Sequence, residues 1–189
     1  MGAVDVGREG RAERAVRVRH AGRDVKAADD LSGRILNAID PDLSAFQKRG
    51  GKLILYHGWS DAALPPTATI DYYRSASAKL GKNADSAIRL YMVPGMQHCG
   101  GGPGADNFGS APGLAPVEPE PSRNMSAALE RWVETGTAPP SIVATKYNRE
   151  DDPSSGVKFT RPLCPYPQVA RYTGTGSERD AANFACLTP

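Results

Sequence analysis

Two residues that can hold or move a proton each follow a short apolar run of the sequence: Asp61 and His98. A carboxylate that accepts a hydrogen bond from one ring nitrogen of a histidine fixes the tautomer of the ring, and the other nitrogen is then free to act as a general base. A pair of this kind makes up two of the three groups of a hydrolytic triad. The sequence therefore predicts acid–base chemistry in which Asp61 orients His98.

The two apolar runs predict the elements that must bring Asp61 and His98 together. Residues 52–56 and 87–93 are short runs that end abruptly at glycine or proline, which is typical of buried strands. Residues 67–80 predict a helix, so that the three elements form one crossover connection. Because parallel strands end at the same edge of a sheet, we expect an α/β fold with a mostly parallel sheet, flanking helices and both side chains at that edge.

Three other titratable residues compete for a role in this pair. Asp71 falls within the predicted helix, and Asp85 precedes the second strand, at the end opposite to His98. Neither position reaches the edge at which the strands end, so Asp61 remains the preferred acid. His57 ends the first strand and could face the same edge, but a histidine there is more typical of a hydrogen-bonded structural group than of a catalyst.

The nucleophile of the triad is not evident in the sequence. In α/β-hydrolases the serine precedes the acid and the histidine, and it stands on a tight Gly-x-Ser-x-Gly turn. The serines before Asp61 are Ser32, Ser44 and Ser60, and none has that setting. Ser60 adjoins the acid and would point away from the histidine that the acid must orient. The sequence therefore predicts the carboxyl-terminal part of a serine esterase, separated from its nucleophile.

The composition is that of a soluble protein with one hydrophobic core. Hydrophobic residues make up 40% and charged residues 23% of the chain, which are ordinary values. The formal net charge of +2 is too small to indicate a nucleic-acid or anionic-membrane partner. No apolar run approaches the roughly 18 residues of a membrane span, and the amino terminus lacks the apolar segment of a signal peptide. The composition alone predicts a cytoplasmic protein.

Residues 1–22 differ from the rest of the chain, because arginines recur there among small residues. One interpretation is a basic arm that binds nucleic acid. The interpretation that we favour is a disordered or extraneous segment, because no aromatic residue is interleaved with the charge. Residues 23–189 are then the folded domain.

The remaining elements are predicted to be short and separated by long loops, in line with 20 glycines and 16 prolines. A helix is expected over 43–49, a loop over 100–121 and a second long helix from near Ser122. Strands are expected at 142–147 and 159–161, and the remainder is turn-rich. The apolar stripe of the second long helix is predicted to be Met125, Leu129, Trp132 and Val133.

The three cysteines leave two interpretations open. A bridge between Cys164 and Cys186 would close a loop of about 20 residues and stabilise the Pro-rich and Gly-rich tail by roughly 3 kcal/mol. Cys99 would then be left over, and an odd cysteine indicates a partner elsewhere. The alternative is three reduced, buried thiols. The three histidines are scattered and no Cys-x-x-Cys occurs, so no metal site is predicted.

Several segments together resemble a known family. In order, they are GGKLILYHGWSD (50–61), TIDYY (69–73), MVPGMQHCGGGPG (92–104), ALERWVE (128–134) and RPLCPYP (161–167). They resemble the carboxyl-terminal part of the tannase and feruloyl esterase family over about residues 23–189. The resemblance is specific, because two long motifs stand in order with the expected interval.

This resemblance implies a fold and an activity. Members of the family are α/β-hydrolases with a large lid inserted upstream of this region, and they act on esters of aromatic acids such as gallate and ferulate. The resemblance assigns Asp61 as the acid and His98 as the base. It implies no cofactor in residues 23–189, since the calcium site of the family lies in the lid.

The resemblance also gives each cysteine a role. Cys99 matches a cysteine that is bridged, in the family, to another one directly before the nucleophilic serine. Cys164 and Cys186 match the pair that staples the tail. The implied location is secreted or periplasmic, although this chain shows no signal peptide.

Three functions follow from these predictions. The first is a carboxylic ester hydrolase for gallate or hydroxycinnamate esters that uses a Ser-Asp-His triad, in which this chain is a fragment, inactive alone and in need of an amino-terminal half. The second is a noncatalytic module that binds an aromatic ligand or docks to a partner protein. The third, nucleic-acid binding through the arginines of residues 1–22, is the least favoured.

Overall fold

The computed structural model of the chain describes residues 21–110, 116–150 and 152–189. The chain divides into two compact units, residues 1–38 and 39–189. The basic arm that the sequence predicts over residues 1–22 lies, apart from its last two residues, outside the described part of the chain. Within the described residues, no helix is long and apolar enough to cross a membrane.

The described part of the first unit is helical. Helix α1 (Ala21–Ala28) runs through a π-helical turn (Asp29–Gly33) into the short α2 (Arg34–Leu36). The side chains of Leu31 and Ile35 are both 83% exposed. The apolar residues of this segment therefore form no buried core.

The second unit contains the elements that carry the site. Its helices are α3 (Ser44–Lys48), α4 (Pro66–Leu80), α5 (Ala84–Ala87) and α6 (Met125–Thr135), with 3₁₀ turns at Gly81–Asn83 and Ala181–Asn183. Its strands are β1 (Leu53–Gly58), β2 (Ile88–Val93), β3 (Ile142–Arg149), β4 (Asp152–Leu163), β5 (Val169–Tyr172) and β6 (Phe184–Leu187). The first strand, the first long helix and the second strand thus lie within two residues of their predicted bounds.

The strands form three pairs, and only one of these pairs is parallel among the described residues. β1 pairs with β2 in parallel, with Leu53 opposite Ile88 and Gly58 opposite Val93. β3 with β4, and β5 with β6, are antiparallel. The predicted mostly parallel sheet is therefore not what these residues form. The reason is the connections: β1 and β2 are joined through α4, whereas the other pairs have connections too short for a parallel crossover.

Strand β2 is the centre of the packing, because both of its faces are covered. On one face Tyr91 and Val93 are fully buried and pack in one cluster with Met125 of α6. On the other face Leu90 and Met92 pack with Ile70 of α4. Burial of β2 on both sides explains why its sequence is a nearly continuous apolar run.

The apolar stripe of α6 differs from the prediction. Val133 is 59% exposed, whereas Ala128 and Trp132 are buried at 2% and 0% exposure. The large indole ring of Trp132 occupies the inner face of the helix, and this rotates Val133 toward solvent. Asn124 caps the helix, since its side chain accepts a hydrogen bond from the backbone N–H of Ala127.

Two segments that the sequence predicts as loop or turn carry regular structure or burial. Residues 105–108 fall in the predicted loop but are buried, and Asn107 forms an antiparallel bridge with Thr145. The strand predicted at 159–161 extends over all of β4, and the turn-rich tail contains the β5–β6 hairpin. Backbone pairing with distant residues organises these segments, and local sequence patterns do not report it.

Candidate functional site

Asp61 lies on the loop between β1 and α4, residues 59–65, which we call the acid loop. Its Oδ1 atom accepts hydrogen bonds from the backbone N–H groups of Ala63, at 2.8 Å, and Leu64, at 2.9 Å. The carboxylate side chain is only 4% exposed. The acid loop thus folds back on the side chain and holds one carboxylate oxygen with its own backbone.

His98 lies on the loop that follows β2, residues 94–106, which we call the base loop. Its Nδ1 atom is 2.8 Å from Oδ2 of Asp61. Its side chain is 54% exposed, and no side chain in the described ranges hydrogen bonds to its Nε2 atom. Because Nδ1 must donate to a carboxylate, Nε2 carries the lone pair of the neutral ring, which is the state of a general base.

The two loops are tied together by backbone contacts that continue the parallel pair of strands. The N–H of Trp59 donates to the carbonyl of Val93, and the N–H of Ser60 donates to the carbonyl of Met96, both at 3.0 Å. A Cβ atom at Gly58 would lie 2.2 Å from the carbonyl oxygen of Met96. Only glycine permits this close approach, which sets the spacing of the acid and the histidine.

A buried ion pair supports the base loop from the side of β3. The Nζ atom of Lys146 lies 3.0 Å from Oδ1 of Asp106 and 3.1 Å from Oε1 of Glu150. Oδ2 of Asp106 accepts from the N–H of Gly101 at 2.7 Å. Burial disfavours the charged lysine, but the hydrogen bonds that it donates to Asp106 and Glu150 raise the pKa of Lys146 above its usual value. No local pattern in the sequence indicates this cluster.

His57 contacts the same carboxylate from the end of β1. Its Nε2 atom lies 3.2 Å from Oδ2 of Asp61 and 3.3 Å from the carbonyl oxygen of Leu64. Its Nδ1 atom lies 2.7 Å from the hydroxyl oxygen of Thr69. The spacing of four residues between His57 and Asp61, across a glycine, is the signal in the sequence from which this contact could have been inferred.

The hydrogen bonds to Asp61 hold it in the charged form. The backbone N–H of Leu64 and the side chain of His98 are the two largest causes that lower the pKa of Asp61, from 3.8 to about 2, against the opposing effect of burial. A carboxylate that accepts several hydrogen bonds is expected to show a shift of this sign. Asp61 is therefore an anion at every pH at which an esterase would work.

The two competing acids lie on helices and in neither the acid loop nor the base loop. Asp71 is exposed on α4, and Asp85 is 88% exposed and pairs with Arg89. Ser60, the serine next to the acid, is exposed. A calcium ion would need several oxygen ligands, and the described residues contain no group of three His, Cys, Asp or Glu side chains that could hold a metal ion.

The cysteines occupy two different environments. Cys164 and Cys186 form a disulfide with a Cα–Cα distance of 5.5 Å, which joins the end of β4 to β6. Cys99 is free and exposed, with a positive φ of 61°. Burial and the proximity of Cys99 raise the pKa of Tyr56. The exposed thiol belongs to the residue that directly follows His98 in the base loop.

An apolar cavity of about 550 Å³ lies next to the site, between β2, β4 and the tail hairpin. Its lining includes Trp59, Met92, Phe159, Leu163, Tyr166 and Phe184. Asp61 and His98 do not line it. Trp59 of the acid loop is the residue of that loop that lines the cavity.

Comparison of the sequence with known proteins finds relatives that are esterases or ester hydrolases. The chain is 45% identical over 166 residues to an uncharacterised esterase of Xanthomonas campestris, a match that covers 81% of this chain and 29% of that relative. It is 45% identical over 152 residues to the mono(2-hydroxyethyl) terephthalate hydrolase of Piscinibacter sakaiensis, covering 80% of this chain and 22% of that enzyme. The chain therefore spans less than a third of the length of these relatives.

The fold agrees with the sequence comparison. The structure superposes on the crystal structure of an esterase from Aspergillus oryzae with a TM-score of 0.78 at 31% identity, over 87% of this chain and 33% of that one. The chain is thus a homologue of carboxylesterases. A family model described as tannase and feruloyl esterase matches residues 15–187, and the chain belongs to that family.

Proposed function

We propose that this chain supplies the acid and the base of a Ser-His-Asp triad in an α/β-hydrolase that cleaves esters of aromatic carboxylic acids. The observation that carries the proposal is the 2.8 Å contact between Nδ1 of His98 and Oδ2 of Asp61, in a side chain that is 54% exposed. A ring held in this way is ready to accept a proton from a hydroxyl that approaches from solvent.

The first half of the reaction forms an acyl-enzyme. A serine hydroxyl, contributed by a segment outside the described residues, attacks the ester carbonyl while Nε2 of His98 takes its proton. The imidazolium so formed is stabilised by the anionic Asp61. When the tetrahedral intermediate collapses, His98 gives the proton to the leaving alkoxide, and the alcohol departs.

The second half releases the acid. Water attacks the acyl-enzyme carbonyl as His98 takes one of its protons, and collapse of the intermediate returns that proton to the serine oxygen. The products are a carboxylic acid and an alcohol, and the enzyme is restored. A hydroxyl, an imidazole and a carboxylate are sufficient for these steps, so the proposal assigns no cofactor to this chain.

The substrate class and the location follow from family membership and the disulfide. The family is described as tannase and feruloyl esterase, and the Piscinibacter relative is named for a terephthalate ester. We therefore assign aromatic esters such as gallates and hydroxycinnamates. A disulfide between Cys164 and Cys186 supports a secreted or periplasmic location, because such bonds persist in oxidising compartments.

A chimaera tests the proposal. Residues 23–189 of this chain replace the matching part of the Xanthomonas relative, and the product is assayed with methyl gallate and methyl ferulate. We expect ester hydrolysis, and we expect His98→Ala in the chimaera to lower kcat by about 1,000-fold or more, as removal of a triad member does.

Asp85→Asn is the matched control, because Asp85 is an exposed acid one helix away from the pair. It should leave the activity of the chimaera unchanged. A folded chimaera that is inactive beside an active parent, or one that keeps its activity after His98→Ala, would remove the assignment.

The cavity favours a second candidate, a noncatalytic module that binds an aromatic ligand. About 550 Å³ is large enough for one or two aromatic rings, and the guanidinium of Arg161 lies 4.2 Å from the ring centroid of Phe184 at its wall. Titration calorimetry of the isolated chain with ferulate tests this function. It is supported if Phe184→Ala abolishes a measured heat of binding and excluded if the native chain gives no heat.

A further inference from the structure

We infer that His57 is a positioning residue for the Asp61–His98 pair, and that the acceptors of the acid loop fix the tautomer in which it acts. This inference rests on the proposed function, because a positioning role has meaning only for a working pair. It goes beyond the triad in that it gives a task to a second histidine, which touches the acid but neither the substrate nor the serine. Two sets of contacts and one consideration of charge support it.

The first set of contacts decides which nitrogen of His57 carries the proton. Nε2 faces two groups that can only accept, Oδ2 of Asp61 at 3.2 Å and the carbonyl oxygen of Leu64 at 3.3 Å. It must therefore carry a hydrogen. Nδ1 lies 2.7 Å from the hydroxyl of Thr69, which can donate to the lone pair of a neutral ring. The acceptors of the acid loop thus fix the tautomer as Nε2–H, and the hydroxyl of Thr69 on α4 fits that tautomer as a donor to Nδ1.

The second set concerns the carboxylate of Asp61. Oδ1 accepts from two backbone N–H groups, those of Ala63 and Leu64, and Oδ2 accepts from Nδ1 of His98. Nε2 of His57 lies 3.2 Å from Oδ2 and within hydrogen-bond distance of the carbonyl of Leu64, the residue whose N–H holds Oδ1. Rotation of the group about its Cβ–Cγ bond would break contacts on both oxygens, and His98 therefore meets an acceptor of fixed direction.

The third consideration is charge. The Asp61 anion must stabilise the positive charge that His98 gains when it takes a proton. A lysine or arginine in the place of His57 would neutralise that anion before the reaction. A neutral imidazole donates a hydrogen bond but adds no net charge. His57 is 12% exposed, so the contact is shielded from competing water. The ring holds the acid without reducing its charge.

Nitrogen-15 NMR of the 189-residue chain, labelled at histidine, tests the inference without any assay of activity. Long-range ¹H–¹⁵N spectra distinguish the Nδ1–H tautomer from the Nε2–H tautomer, and a His20→Gln variant identifies the third signal. In the native chain at neutral pH we expect His57 as Nε2–H and His98 as Nδ1–H.

Variants then separate a positioning role from a purely structural one. His57→Gln places a donor near the position of Nε2, whereas His57→Asn places one near Nδ1, where Asp61 is out of reach. We expect His98 to remain Nδ1–H in His57→Gln and to shift toward the Nε2–H tautomer of free imidazole in His57→Asn. Thr69→Val, which keeps shape and removes the hydroxyl, should leave His57 as Nε2–H, because the acceptors at Nε2 remain, and it provides a test even if the His57 variants fail to fold.

The inference is overturned if His57 is found as Nδ1–H in the native chain. It is equally overturned if His98 gives the same spectrum in folded His57→Asn as in the native protein, or if His57 changes to Nδ1–H in Thr69→Val. The His57 ring would then only support the backbone.

The chimaera described above gives a second readout. His57→Asn should lower kcat by roughly tenfold to a hundredfold, which is typical when the partner that orients a functional group is lost, with KM unchanged and with recovery in His57→Gln. If the chimaera shows no esterase activity at all while the NMR results are as expected, the proposed function fails and the hydrogen-bonding role of His57 stands. If the chimaera is active and the tautomers do not change in the variants, the proposed function stands and the positioning role of His57 fails.

Discussion

The acid loop and the base loop hold their side chains in opposite ways. Asp61 is 4% exposed, and His98 is 54% exposed. The acid is fixed by backbone N–H groups within three residues of it, whereas the base loop is fixed from a distance, by Lys146 acting through Asp106. The acid only needs to keep one orientation, but the base must also meet a substrate and a serine. An exposed ring therefore needs support that does not cover it.

The largest expected effect comes from the distant support of the base loop. Lys146→Met leaves Asp106 as a buried carboxylate without a cation, and we expect the free energy of unfolding to fall by about 3–5 kcal/mol. Urea denaturation measures this change. The double variant Lys146→Met/Asp106→Asn removes the charge on both sides and should lose less. If the single variant were as stable as the native chain, the ion pair would not support the base loop.

The second largest effect is expected from a substitution that disturbs the close contact between the acid loop and the base loop. In Gly58→Ala the added methyl group would lie 2.2 Å from the carbonyl oxygen of Met96, and overpacking of this severity costs about 3 kcal/mol. Gly136→Ala is the control, since nothing lies within 4 Å of a Cβ atom there. It should cost only the penalty of a left-handed backbone, about 1 kcal/mol. Equal losses in thermal or urea denaturation would contradict the close approach of the loops.

The pH dependence of the free energy of unfolding tests the acid loop separately, through the carboxylate of Asp61. The pKa of Asp61 is lowered from 3.8 to about 2 in the folded chain. A lowered pKa adds stability above the unfolded value and loses it as the pH falls through the folded value. The native chain should therefore be more stable than Asp61→Asn at neutral pH, with a difference that shrinks below 3.8 and vanishes below about 2.

Urea denaturation at neutral and acid pH measures this difference, and Asp85→Asn, at an exposed position, should match the native chain at both. A difference between the native chain and Asp61→Asn that stays constant down to the lowest pH would show that the contacts of Asp61 do not depend on its charge.

The smallest effect is expected at His98 itself. His98→Ala removes a half-exposed ring and one hydrogen bond, while Asp61 keeps its two backbone donors, so the free energy of unfolding should change by no more than about 1 kcal/mol. Differential scanning calorimetry checks this value. A loss comparable to that of Lys146→Met would mean that the base also has a structural role, and the contrast between the two loops would be smaller than the exposures indicate.

The parts of the fold that could be predicted are those with local signals. The runs that became β1 and β2 are short, apolar and bounded by glycine or proline, and α4 ends at Gly81, which has a positive φ of 55°. Prediction failed where distant residues decide the structure. Val133 is apolar but exposed, because Trp132 occupies the inner face of the same helix. The buried segment 105–108 was predicted as loop, because its pairing partner lies on β3.

The sequence by itself determined that a carboxylate and an imidazole follow two strands joined by a single crossover, because chain direction alone brings such strand ends to one edge. It also determined the family. Only the tertiary structure decided that His57 contacts Asp61, that Lys146 supports the base loop, and that the sheets are mostly antiparallel pairs. Those features depend on distances between residues that are remote in the chain or on opposite sides of a turn, and the packing of side chains, rather than their order, sets such distances.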